Sequence, residues 1–125
     1  MWDRIAKFFR KKPPPEPVAF EADEAGVVSV HDGKRTTLFR WKQLYQVTAY
    51  KVDFWGRDLI VIRFVTSEEG AAVEIDEEQI GYKEVVRFMD EQLPGILDDW
   101  WTRVAFPAFV TNWTPIWIRP APRTS

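Results

Sequence analysis

From Val18 onward, apolar and polar residues alternate with a period of two, the spacing of a strand with one buried face. Val18-Ala19-Phe20-Glu21 and Val27-Val28-Ser29-Val30-His31 are the first two predicted strands. Asp32-Gly33 then stands between apolar runs, a strong signal for a two-residue hairpin turn. Thr36 to Trp41 returns on the far side. Leu44 to Val52 is the next strand, with Tyr45, Val47 and Ala49 on one face and Gln46 and Thr48 on the other. Asp53 to Asp58 reads as a loop that turns at Gly56. Leu59-Ile60-Val61-Ile62-Arg63-Phe64-Val65 is almost unbroken in β-branched and aromatic residues, which predicts the most buried strand. Glu68-Glu69-Gly70 makes a turn, and Ala71 to Asp76 closes the meander with Val73 and Ile75 inward.

The period then changes to 3.6. Ile80, Tyr82, Val85, Val86, Met89 and Leu93 recur at helical spacing. Glu77, Glu78, Glu84, Asp90 and Glu91, with Lys83 and Arg87, fill the outer face, and Pro94-Gly95 stops the helix. Ile96 to Arg103 holds a further helical turn carrying Trp100 and Trp101. Ala105 to Phe109 is irregular, and Asn112 to Arg119 is extended, with Pro115 marking an edge strand or a loop. The expected core is Leu59, Ile60, Ile62, Phe64, Val73, Ile75, Val85 and Met89.

Residues 1–12 carry a separate amphipathic pattern. On a helical wheel Trp2, Ile5, Phe8 and Phe9 share one arc, and Arg4, Lys7, Arg10 and Lys11 share the opposite one. Interrupting charges and the lack of a following apolar run set this segment apart from a secretory signal. So short a helix is marginal alone in water. Its apolar face is therefore expected to dock on the domain, on a second copy, or on an anionic membrane. Residues 13–17, Pro-Pro-Pro-Glu-Pro, form a stiff extended linker. The expected organisation is a helix over 1–12, a linker over 13–17, one domain over 18–119 and a loose tail over 120–125.

Composition narrows the chemistry. The 125 residues contain no cysteine and one histidine, which excludes thiol nucleophiles, thiolate metal centres and multi-histidine sites. The net charge of −2 is uneven: residues 1–12 sum to +4, residues 34–66 to +5, and residues 67–99 hold eleven acids against Lys83 and Arg87. A near-neutral total argues against nucleic acid as a partner. No phosphate-binding glycine loop, nucleophile elbow or zinc-protease motif occurs. His31 is read as a surface residue beside Ser29, opposite Val28 and Val30. Glu74 and Asp76 share a strand face about 7 Å apart, a glycosidase-like separation that nothing else in the segment supports. The expectation is a protein without catalytic residues, metal or cofactor. Trp55 is the outstanding aromatic: it sits in a loop with Phe54 before it and Arg57 after it, a composition that suits a binding hot spot.

A run of antiparallel strands followed by one amphipathic helix gives an α+β fold: an antiparallel sheet or partial barrel, closed by that helix, with the basic N-terminal helix as an addition. This order resembles the pleckstrin-homology-like fold. The Asp32-Gly33 hairpin, Trp41-Lys42-Gln43-Leu44, Asp58-Leu59-Ile60, Val73-Glu74-Ile75, Leu93-Pro94-Gly95 and Ile116-Trp117-Ile118-Arg119 resemble a group of small uncharacterised bacterial proteins, themselves similar to immunity-type proteins. The resemblance implies a cytoplasmic module that binds and blocks another protein, and it carries no catalytic residue. Candidate contact residues are Phe54, Trp55 and Arg57, together with Glu77, Glu78, Glu84 and Glu91 on an acidic helix region over 77–91. The competing expectation is a peripheral protein at the inner face of the membrane, tethered by residues 1–12.

Overall fold

A computed structural model describes residues 18–121. Among the described residues, seven strands form two antiparallel sheets. The first contains β1 (Ala19–Ala22), β2 (Gly26–His31) and β3 (Lys34–Arg40), in that order. The second contains β4 (Gln46–Phe54), β5 (Arg57–Val65), β6 (Ala72–Asp76) and β7 (Thr114–Ile118), ordered β6-β5-β4-β7. Two helices follow β6: α1 (Tyr82–Gln92) and α2 (Trp100–Ala105). The architecture is thus mixed, mostly strands, with two separate antiparallel sheets where a single sheet or partial barrel was expected. The break falls at Trp41–Gln43, a short 3₁₀ helix that carries the chain from β3 to the second sheet, so β3 and β4 do not pair.

Asp32 and Gly33 both take positive φ, 50° and 73°, between paired His31 and Lys34. This is the two-residue hairpin that the sequence predicts. β7 lies at a sheet edge, as its Pro115 requires. The core lies between the sheets. Val47, Ala49, Ile60, Ile62, Phe64 and Ile75 supply it from the second sheet, Val85 and Met89 from α1, and Leu93 from the cap that follows α1. Phe39 of β3 lies 4.8 Å from Phe64 of β5, centroid to centroid, and Trp41 meets Phe39 edge-on at 5.5 Å. Rings of this size join the sheets with much buried area. The Trp41 indole N–H donates to the Asp23 carbonyl and that of Trp117 to the Pro94 carbonyl, so both rings are buried with their polar atom paired.

Some expectations are corrected. Val73 is only half-buried and packs against the core from its margin. Val28 and Val30 are also half-buried, and the fully buried β2 residue is Val27, beside an irregularity in the register. Ile80 is exposed and belongs to no helix face: its carbonyl accepts the Phe20 N–H at 2.8 Å, in a bridge to β1. Gly81 then adopts φ 94° and opens α1, and a Cβ there would collide with the Phe20 carbonyl. Glu77 and Glu78 therefore precede the helix. The Glu77 amide donates to the Ile60 carbonyl, and the Glu77 carboxylate accepts the Ile60 N–H, so the segment extends the edge of β5.

Candidate functional site

Strands β4 and β5 pair without a break from Gln46–Val65 to Phe54–Arg57. The expected loop over 53–58 is thus a two-residue turn, Trp55-Gly56, with φ of 54° and 83°. A turn with both central residues at positive φ favours Asn, Asp or Gly. For a bulky residue this conformation costs about 1–2 kcal/mol. Trp55 adopts it and is 92% exposed, so neither packing nor backbone preference accounts for a tryptophan at this tip. Beneath it the Asp53 carboxylate accepts the Gly56 N–H at 3.2 Å. The Arg57 guanidinium stands 5.6 Å from the Phe54 ring centroid and pairs with Glu78.

The irregular segment between α2 and β7 is fastened beside this hairpin. Lys51 continues the inward alternation of Val47 and Ala49, and its side chain is only 2% exposed. Its Nζ donates to the carbonyls of Ala105 at 2.9 Å and Pro107 at 2.5 Å, and to Asp58 Oδ2 at 3.2 Å. The same Asp58 oxygen accepts the Phe109 N–H at 2.8 Å. That amide, with the Lys51 ammonium beside it, holds the Asp58 carboxyl below its ordinary range. The Lys51 amide donates to the Thr111 carbonyl at 2.7 Å. The Asn112 side-chain amide closes the segment on the Phe106 carbonyl at 2.8 Å.

Backbone and polar atoms are consumed in this fastening, and the large side chains are left outside. Phe109 takes φ 60° and is 73% exposed. Trp113 stacks on Tyr50 with centroids 4.0 Å apart and still stands 58% exposed. Burial and a hydrogen bond from its hydroxyl to Glu74 push the Tyr50 phenol up to about 12. Phe106, Val110 and Trp101 are exposed as well. Between hairpin and segment lies a cleft of about 440 Å³, lined by Tyr50, Lys51, Val52, Asp53, Asp58, Phe109, Val110, Thr111 and Trp113.

The structure thus sets the stem of the hairpin that carries Phe54, Trp55 and Arg57 beside Phe109, which the sequence placed in an irregular stretch, and Trp113, which it placed in an extended one. The one signal for it was Lys51, a cation where the strand alternation calls for an apolar side chain. The acidic candidates do not form a single face. Glu78 sits beside Arg57, Glu77 is bound to the β5 edge, and Glu84 and Glu91 both lie near Arg87 on α1. His31 is exposed next to the β2–β3 turn. Trp2, Arg4, Ile5, Lys7, Phe8, Phe9, Arg10 and Lys11, with the 13–17 linker, lie outside the described residues. Among the described residues no helix is long and apolar enough to cross a membrane, and no group of three or more acids or histidines is placed to hold a metal ion. Comparison of the chain with protein-family models, curated proteins and solved structures finds no match.

Proposed function

We propose that this protein is a non-catalytic binding module that docks another protein through the end of its second sheet formed by Phe54, Trp55, Phe109 and Trp113. The observation that carries the reading is Trp55: a large ring, 92% exposed, held at positive φ where a smaller residue would fold better. Exposed aromatics beside an arginine have the composition of interface anchors. They also stand on a rigid two-stranded support and a fastened segment, so little ordering entropy is lost on binding. An inhibitory, immunity-like role is the form this docking takes, as the resemblance to small bacterial proteins implies. A second reading, attachment to an anionic membrane, rests on the segregation of Trp2, Ile5, Phe8 and Phe9 from Arg4, Lys7, Arg10 and Lys11.

A photo-crosslinking amino acid placed at position 55, with position 31 as control, tests the proposal in the source cells. The expected result is one discrete protein adduct from position 55 and none from position 31. Excess unmodified chain competes for the adduct, and a Trp55→Asn, Trp113→Ala double variant does not. No adduct, together with salt-sensitive co-sedimentation of the chain with anionic vesicles that Phe8→Asp abolishes, overturns docking in favour of the membrane.

A further inference from the structure

We infer that the cleft between the β4–β5 hairpin and the Phe109–Trp113 segment is a subsite for one basic side chain, arginine or lysine, carried by an otherwise apolar segment of the protein partner. The inference rests on the docking surface proposed above and specifies what that surface recognises. It follows from which polar atoms in the cleft are already used. An ammonium has three donors. Those of Lys51 go to Asp58, Ala105 and Pro107, and the group is buried behind the cleft. Lys51 therefore offers nothing to an anionic ligand.

The two carboxylates are only half used. Asp58 spends Oδ2 on Lys51 and the Phe109 amide, and its Oδ1 has no hydrogen-bond partner among the described residues. Asp53 spends Oδ1 on the Gly56 amide, and its Oδ2 is likewise without one. The two residues face each other across the β4–β5 ladder, on the face that carries Lys51. Asp58 is held ionised by its contacts. Two carboxylates against one buried ammonium leave the cleft with a net negative charge.

The remaining walls are aromatic and aliphatic: Phe109, and, across the edge of β4 from the carboxylates, Val52 and Trp113 on its Tyr50 support. A cation over an indole or phenyl face is attracted by the ring quadrupole, most strongly on tryptophan. A purely apolar ligand would strip water from the two carboxylates with no compensation. A phosphate or acidic peptide would meet the same carboxylates with no free cation in the cleft. A basic side chain satisfies both the carboxylates and the rings, and apolar neighbours in the partner cover Phe54, Trp55 and Phe109.

The test uses the full chain and two defined probes, acetyl-Leu-Arg-Leu-amide and acetyl-Leu-Gln-Leu-amide, followed by NMR shift perturbation. The arginine peptide is expected to move the Trp113 indole and Phe109 amide signals saturably, and the glutamine peptide to bind about tenfold more weakly. Asp53→Asn, which keeps the Gly56 contact and removes the charge, is expected to weaken the arginine peptide by a similar factor. Added salt weakens it too. Equal binding of both peptides in the cleft, or indifference to Asp53→Asn, overturns the basic anchor and leaves the docking surface standing. If neither peptide moves a cleft signal, the subsite is overturned, and the adduct at position 55 then judges the surface independently.

Discussion

Trp55 and Phe109 are two exposed aromatics at positive φ, on neighbouring segments at one end of the molecule. Stability alone would place asparagine or glycine at both positions. Residues that work against their own backbone are drawn to binding surfaces, where the lost stability is offset by function. Trp55→Asn is accordingly expected to raise unfolding free energy by about 0.5–1.5 kcal/mol, from relief of the left-handed conformation. As an unlabelled competitor, the same variant is expected to displace the adduct at position 55 less well than the unmodified chain. Urea melts of both chains check the first effect, and a loss of stability would mean that Trp55 packs locally after all.

The segment from α2 to β7 has neither helical nor strand periodicity, and what holds it is a set of polar contacts centred on Lys51. Lys51→Met keeps the stem and removes the ammonium. It orphans the carbonyls of Ala105 and Pro107, at an expected cost of about 1–3 kcal/mol. Hydrogen exchange at the Phe109 amide should become fast in that variant while the β4–β5 ladder stays protected. Acid acts on the same contact. The Asp58 carboxyl has a folded pKa below its unfolded one, so its contribution is fully present above the unfolded value of about 3.9. It is lost as pH falls through the lower folded value. Protection of the Phe109 amide should therefore persist at about pH 4 and fade below it, and Asp58→Asn should remove that pH dependence. Asp76 and Asp90 have the opposite sign, since burial raises both carboxyls, and their protonation on acidification favours the folded chain. An acid-labile segment thus points to Asp58 and not to them.

The two sheets are joined where the aromatic rings of Phe39, Trp41 and Phe64 meet and where Arg119 closes the far end of β7. Its guanidinium donates to the carbonyls of Leu44 and Lys42 and lies 3.9 Å from the Tyr45 ring centroid. This junction leaves the hairpin tip and the fastened segment projecting from a packed scaffold, the arrangement in which loops carry recognition. Ile62 lies at the centre of the scaffold, fully buried on the face that meets α1 and the first sheet. Ile62→Ala is expected to cost about 2–5 kcal/mol. The loss should appear as a lower urea midpoint with an unchanged slope, and a change under about 0.5 kcal/mol would show that the site collapses around the deletion.

Local patterns were enough for most elements. A period of two produced the strands, a period of 3.6 produced α1, Asp32-Gly33 produced its turn, and Pro115 narrowed its segment to an edge strand or a loop, because each signal acts over a few neighbouring residues. Trp55 and Arg57 could be placed at a turn for the same reason: they adjoin Gly56 in the chain itself. The helix start was not legible, since the acids at 77 and 78 suit a helix N-terminus locally, while the backbone of Ile60 and Phe20 draws residues 77–80 to the sheets. Nor was the division into two sheets, because strand alternation says which face is buried and nothing about which strand lies beside it. The cleft belongs wholly to the tertiary structure. Lys51, Asp58 and Phe109 are separated by up to 58 residues of chain, and only the closure of β7 on β4 brings the Phe109–Trp113 segment to the hairpin, where a buried ammonium and a carboxylate can hold its backbone and leave its rings outside.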